Sequence, residues 1–138
     1  MNREIIVKAG EIVEKNTGRG TSCVLALIDP DGYPTASAIT AAKAEGISWV
    51  AFCTGLNGPK AGRIRKCRRA SVCFSDDYNI TLVGTIELVT DPEVKKEMWY
   101  GGLANHFSGP DDPDYCVLRF KTERYSLMLD GKEARGTL

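Results

Sequence analysis

The stretch that most restricts the fold is Phe52 to Arg69, Phe-Cys-Thr-Gly-Leu-Asn-Gly-Pro-Lys-Ala-Gly-Arg-Ile-Arg-Lys-Cys-Arg-Arg. Trp49 to Thr54 is apolar and aromatic enough for a buried strand, and Gly55, Asn57 and Gly58 break it. Pro59 follows at a first helical position, where its missing N–H costs nothing, and Ala61, Ile64 and Arg65 recur at helical spacing. A strand that runs through a glycine-rich loop into a helix presents free backbone N–H groups at the helix start. Here the Thr54 hydroxyl and the Lys60 ammonium stand beside them, a local arrangement that binds phosphate. Lys60 to Arg69 holds six basic side chains and no acidic one, in a chain with 18 basic and 18 acidic residues. The alternative reading of the same run is a solvated basic face. The loop lacks both Gly-x-x-x-x-Gly-Lys-Ser/Thr and Gly-x-Gly-x-x-Gly, so neither a nucleotide triphosphatase nor a dinucleotide fold is indicated.

A length of 138 residues is enough for one domain, residues 1–138, with a real core and no need of metals or disulfides. Zero net charge argues against a general nucleic-acid or membrane-surface binder. The chain opens on an amphipathic segment rather than an apolar signal region, and no apolar run approaches membrane-spanning length. Cysteines fall at 23, 53, 67, 73 and 116 with no Cys-x-x-Cys pair. Cys23, Cys53 and Cys73 lie in apolar strand-like runs and read as small buried hydrophobes. The expected compartment is reducing, hence cytoplasmic.

In chain order, Asn2 to Lys15 reads as a helix with Ile5, Ile6, Ala9, Ile12 and Val13 on one stripe and Asn2 as its cap. Ser22 to Ile28 is a strand, Asp29-Pro30-Asp31-Gly32 a tight turn, and Pro34 to Ala42 the returning strand of a hairpin. The side chains of that second strand are small (Thr35, Ala36, Ser37, Ala38, Thr40). They leave room either for something flat to lie against them or for a covering helix. Lys43 to Gly46 reads as a turn into a third strand, Ile47 to Thr54, and Ala70 to Ser75 and Ile80 to Val89 are two more. Asp91-Pro92-Glu93 starts a helix with a capping Asp, Pro at the first position and an acid in the first turn. Phe107 to Pro113 is a polar loop, Tyr115 to Leu129 the last strand, and the remainder a charged mobile tail. Six strands with short turns and few helices indicate an antiparallel barrel. Trp49, Trp99 and Phe107 are more aromatic surface than a small core absorbs, which points to a homodimer.

The side chains offer little catalytic equipment of their own. His106 is the sole histidine, so zinc ligation lacks a donor set and Ser-His-Asp chemistry lacks its nucleophile elbow. His106 reads as a surface or interface residue. Any chemistry then belongs to a cofactor.

Several motifs, in order, resemble the pyridoxamine-phosphate-oxidase-like FMN-binding split barrels: Thr21 to Leu27, Asp31-Gly32-Tyr33-Pro34, Phe52 to Gly55 through Lys60 to Ile64, and Ala70 to Phe74. Val83 to Leu88, Asp91-Pro92-Glu93 and Pro110 to Tyr115 continue the series, so the likeness spans residues 19 to 130, nearest to the short general-stress-protein branch. The resemblance implies a mainly β fold with flanking helices, a six-stranded antiparallel split β-barrel. It further implies a homodimer with FMN at the subunit interface. By position, Thr54 and Lys60, next to Cys53, correspond to the phosphate contacts, and Ser37, Ala38, Ile39 and Thr40 to the strand against the isoalloxazine. Asn79 corresponds to a residue that reaches the flavin from the neighbouring subunit. The implied activity is an FMN-dependent oxidoreductase of unassigned substrate. The other roles within reach are a non-catalytic flavin or stress protein, or a relative that binds haem or a deazaflavin. The family pattern is broken at Ser37, where a basic residue is common, and at Pro59, where the oxidase has a second basic phosphate ligand.

Overall fold

The computed structural model describes residues 2–138. Eight strands, all paired antiparallel, form one sheet: β1 (Cys23–Ile28), β2 (Pro34–Ile39), β3 (Ala41–Glu45), β4 (Trp49–Gly55), β5 (Arg69–Ser75), β6 (Asn79–Val89), β7 (Tyr115–Leu129) and β8 (Lys132–Thr137). The path runs β2-β1-β5-β6-β7-β4-β3, with β8 added to β7. Its two ends, β2 and β3, are consecutive in the chain and separated by Thr40 alone. Strands one residue apart cannot lie at opposite edges of a flat sheet. The sheet therefore rolls until its edges meet at Thr40, which gives the split half-barrel.

Alternation along the strands makes the inside. Leu25 and Leu27 of β1, Val50 and Phe52 of β4, Val72 and Phe74 of β5, Ile80, Leu82 and Ile86 of β6, and Leu118 and Phe120 of β7 are all buried in one cluster. Helix α1 (Arg3–Lys15) adds Ala9 and Val13 to that cluster, and α2 (Pro59–Lys66) adds Ile64. The opposite face of β4 and β7 carries a second apolar cluster. There Ala51, Tyr115 and Val117 lie under α3 (Pro92–Met98) and the 3₁₀ turn Gly101–Asn105, through Met98 and Leu103.

The two strands beyond the expected six have physical causes. The run Pro34 to Ala42 does not stay one strand, because Thr40 donates its hydroxyl to the Thr21 carbonyl at 3.0 Å and the chain changes partner there. β3 then pairs with β4 from Ala41↔Phe52 to Glu45↔Trp49, so the expected turn at Lys43 to Gly46 is strand as far as Glu45. The expected mobile tail is β8, an edge strand in register with β7 from Leu129↔Lys132 to Arg124↔Thr137. Its alternate residue Ala134 is buried, although its other side chains are mostly charged. Asn2 makes no side-chain cap to α1. Its amide donates instead to the Tyr125 hydroxyl at 2.9 Å and the Arg135 carbonyl at 3.1 Å, which fastens the helix start to the β7–β8 hairpin. Asp91 does cap α3, accepting from the Glu93 N–H at 2.8 Å.

Candidate functional site

The site centres on the junction of β4 with α2. β4 ends at Gly55, where Asp114 crowds the backbone: a Cβ on Gly55 would lie 2.8 Å from the Asp114 carboxylate. That carboxylate accepts from the Asn57 N–H at 3.1 Å, and the Asp114 carbonyl accepts from the Leu56 N–H at 2.7 Å. Gly58 precedes the helix in extended conformation and Pro59 is its first residue. The first intrahelical donor is Gly62, whose N–H reaches the Gly58 carbonyl at 3.5 Å. Among the described residues, the N–H groups of Lys60 and Ala61 have no acceptor and the Lys60 ammonium has no acidic partner. The Thr54 hydroxyl has none either. Lys60 and Arg63 are partly buried, whereas Arg65, Lys66, Arg68 and Arg69 of the same run are exposed, as a solvated basic face would have them. Arg65 folds back to donate to the Leu56 carbonyl at 3.3 Å, so it holds the loop's far side.

Next to this loop stands the chain crossing from β2 to β3. Ala41 pairs with Phe52 at the end of the β3–β4 ladder and Ile39 already pairs with Cys23 of β1, so Thr40 is the crossing residue beside this end of β4. Tyr100 marks the same place from the other side. Its phenol lies beside both the Thr40 hydroxyl and the Cys53 thiol, and it is held above its ordinary pKa first by burial and then by that thiol. Ala36, Ser37 and Ala38 are exposed, and no helix covers them, which removes the covering-helix reading of the small residues.

Cys53 and Thr54 are neighbours on a strand, so they point to opposite faces. Thr54 shares the face of Phe52. The Cys53 thiol turns into the second apolar cluster, 3.6 Å from both the Met98 carbonyl and the Tyr115 hydroxyl. Burial pushes its pKa up to about 11, so it stays a neutral thiol at physiological pH. Tyr115 is anchored in turn by donating to the Lys95 carbonyl at 2.7 Å.

Asn79 stands apart from the loop. It lies at the start of β6 on the outward face, where its amide donates to Thr81 Oγ1 at 3.0 Å and accepts from the Cys73 thiol at 3.5 Å. That face is open: Val24 is 39% and Met128 38% exposed. Trp49, Trp99 and Phe107, expected to supply the excess aromatic surface, pack instead in the second cluster. Trp99 and Phe107 both stand 5.4 Å from the Tyr115 ring. His106 is exposed and its ring meets that of Phe107. No group of three or more metal-ligating side chains occurs among the described residues, and no described helix is long and apolar enough to cross a membrane. The five cysteines are free.

Two participants escaped sequence reasoning. Asp114 closes the loop, and its signal was the carboxylate cluster Asp111-Asp112-Pro113-Asp114 before a strand. Tyr100 precedes a glycine pair that reads as a break rather than as a site, so nothing local marked it.

A rolled antiparallel sheet, closed through one residue and flanked by a glycine-rich strand-to-helix loop, defines the class as a split barrel. The chain belongs to the pyridoxamine 5'-phosphate oxidase family, whose model matches residues 13–129. No curated protein matches it. Among solved structures it is similar to a Clostridium acetobutylicum protein related to general stress protein 26, at 25% identity and TM-score 0.84, covering 100% of this chain and 97% of that one. It is similar in fold to a haem-binding protein of Mycobacterium smegmatis, at 19% identity and TM-score 0.75, covering 96% of this chain and 57% of that one. A pyridoxamine 5'-phosphate oxidase-related, FMN-binding protein of Nostoc punctiforme shares the fold at 12% identity and TM-score 0.66, covering 99% and 94%.

Proposed function

We propose that the protein binds FMN and acts as an FMN-dependent oxidoreductase, with the phosphate on the Thr54–Lys60 loop. The observation that carries this reading is the loop itself. Two amide donors without acceptors, an ammonium without an acid and a free hydroxyl stand along one strand-to-helix junction, in a chain whose net charge is zero. Phosphate supplies the acceptors that these donors lack. Asp114 already satisfies Asn57, so the binding donors are those of Thr54, Lys60 and Ala61. The uncovered strand from Ser37 through Ala38 and Ile39 to Thr40 gives a flat ring system a surface of small side chains next to the loop. Cys53, whose side chain faces the other way, contributes its backbone there.

When bound, the flavin supplies hydride or electron transfer, and this chain supplies binding, orientation and exclusion of water. Tyr100 and Thr40 offer hydroxyls at the edge of that surface. A homodimer completes the site in this reading: the open outward face of β1, β2, β5 and β6 is the contact, and Asn79 of the partner subunit approaches the flavin. The five free cysteines suit a reducing, cytoplasmic compartment. Haem is less well served, since the single histidine is exposed on a loop against Phe107.

The test is titration of apoprotein with FMN, FAD and riboflavin, followed by NAD(P)H bleaching and reoxidation by an added acceptor. Preference for FMN is expected. Riboflavin binding as tight as FMN removes the phosphate site, and haem in the purified protein removes the flavin. FMN that binds but never bleaches leaves a flavin-binding protein without the enzyme.

A further inference from the structure

A second cationic site lies on the outer face of β4, β6 and β7, away from the Thr54–Lys60 loop. The register builds it as a small grid. Lys121 of β7 stands between Trp49 of β4 and Thr85 of β6, and Arg119 stands between Ala51 and Glu87. Arg68 closes one edge. Trp49, Arg68, Thr85, Glu87, Arg119 and Lys121 line a cleft of about 410 Å³.

The charges in it are unevenly spent. Glu87 is the one acid, and it is engaged by the Arg68 guanidinium at 3.3 Å. Arg68 also donates to the Ile86 carbonyl at 3.3 Å. Arg119 and Lys121 sit two residues apart on one face of one strand and make no ion pair among the described residues. The Nε–H of Arg119 is shut away from solvent with no acceptor. An atom closed to water is closed to a ligand oxygen as well, so an oxyanion in the cleft would meet the Arg119 guanidinium at its terminal nitrogens rather than at Nε. Trp49 forms the wall, its indole fixed by donation from Nε1 to the Glu45 carboxylate at 2.9 Å.

We propose that this cleft binds a small organic oxyanion, a carboxylate or phosphate ester on a flat ring. The oxyanion accepts from Arg119 and Lys121, and the ring lies along Trp49. Arginine suits the role because its planar fork holds an oxyanion by two parallel hydrogen bonds. The site is separate from the flavin site in place and in donors, so it stands or falls independently of the FMN reading.

Calorimetric titration with phenyl phosphate, benzoate and inorganic phosphate tests it, run on the protein both with and without saturating FMN. Benzylamine serves as the cationic control. The expected result is saturable binding of phenyl phosphate and benzoate at one site per chain, unchanged by FMN, tighter than inorganic phosphate and absent for benzylamine. Arg119→Gln should weaken it about tenfold or more, and Trp49→Ala should abolish the advantage of the aromatic anions over inorganic phosphate. Lys121→Gln, at an exposed position, gives the same test if Arg119→Gln does not fold. Binding lost when FMN is present, or indifferent to Arg119→Gln and Lys121→Gln alike, overturns the proposal. So does the absence of saturation.

Discussion

At the scale of the residue, Lys60 and Cys23 make opposite uses of burial. Lys60 has no acidic partner among the described residues, so in the proposed reading its charge contributes when FMN is bound. A charge-assisted hydrogen bond to phosphate is worth roughly 1.5–3 kcal/mol, so Lys60→Ala should weaken FMN about 10- to 100-fold. Thermal stability without FMN should change little, because no intramolecular ion pair is lost. Unchanged affinity in flavin titration would move the phosphate contact to Arg63 or Arg65. Cys23 faces the barrel interior, and burial, reinforced by Cys73, raises its pKa from 9.0 to about 12. The folded state therefore holds this thiol proton more tightly than the unfolded chain does. Its contribution is complete below pH 9 and is lost as pH climbs from there towards 12. Melting temperature followed from pH 8 to 12 should fall more steeply in the wild type than in Cys23→Ala. Parallel curves would mean the thiol remains protonated by another route.

At the scale of the element, the decisive detail is the irregularity in the β6–β7 pairing. The register shifts between Val83↔Arg124 and Gly84↔Thr122, leaving Glu123 as an extra residue in β7. A bulge of this kind sharpens the local bend, which the rolled sheet needs. Gly84 makes it possible. A Cβ there would lie 1.9 Å from the Lys121 carbonyl and 3.1 Å from the Glu123 nitrogen, both backbone atoms that cannot step aside. Gly84→Ala should cost more than the roughly 1–3 kcal/mol usual for overpacking. Gly62, inside α2, meets nothing within 4 Å, so Gly62→Ala should stabilise by about 0.5–1 kcal/mol through helix propensity. Urea denaturation of the pair reads both signs, and equal effects would refute the bulge argument.

At the scale of the whole molecule, the outward face of the sheet is covered over one part and bare over another. Over β4 and β7, α3 and the 3₁₀ turn close the second cluster, and Lys95 spans the contact by donating to the Asp112 carbonyl at 3.0 Å. On the outward side of β1, β2, β5 and β6 no described element lies, and Val24, like Met128 of β7 beside Asn79, is left partly open. A homodimer through that face is expected at micromolar concentration in sedimentation equilibrium. Val24→Lys should shift it to monomer, with the circular dichroism of the fold retained and FMN affinity lowered. A wild-type monomer that binds FMN at full affinity would contradict the shared site.

Residue order alone determined what rests on local chemistry. Alternation and turn residues placed the main strands, Asp91 and Pro92 set the start of α3, and the glycines with Pro59 and Lys60 marked the loop, because each signal spans only a few neighbours. Tertiary structure decided whatever needed a partner distant in sequence. Pro34 to Ala42 looks uniform, yet Thr40 divides it because the Thr21 carbonyl and the edge of β4 are both waiting there. Lys132 to Thr137 carries charges that read as a tail, and only pairing along β7 makes it a strand. Cys53 and Thr54 read as one motif, and the pleat sends them to opposite faces. Asp114, Tyr100 and the grid of Trp49, Arg119 and Lys121 come from segments tens of residues apart. Their meeting follows from the rolling of the sheet, which no short window of sequence encodes.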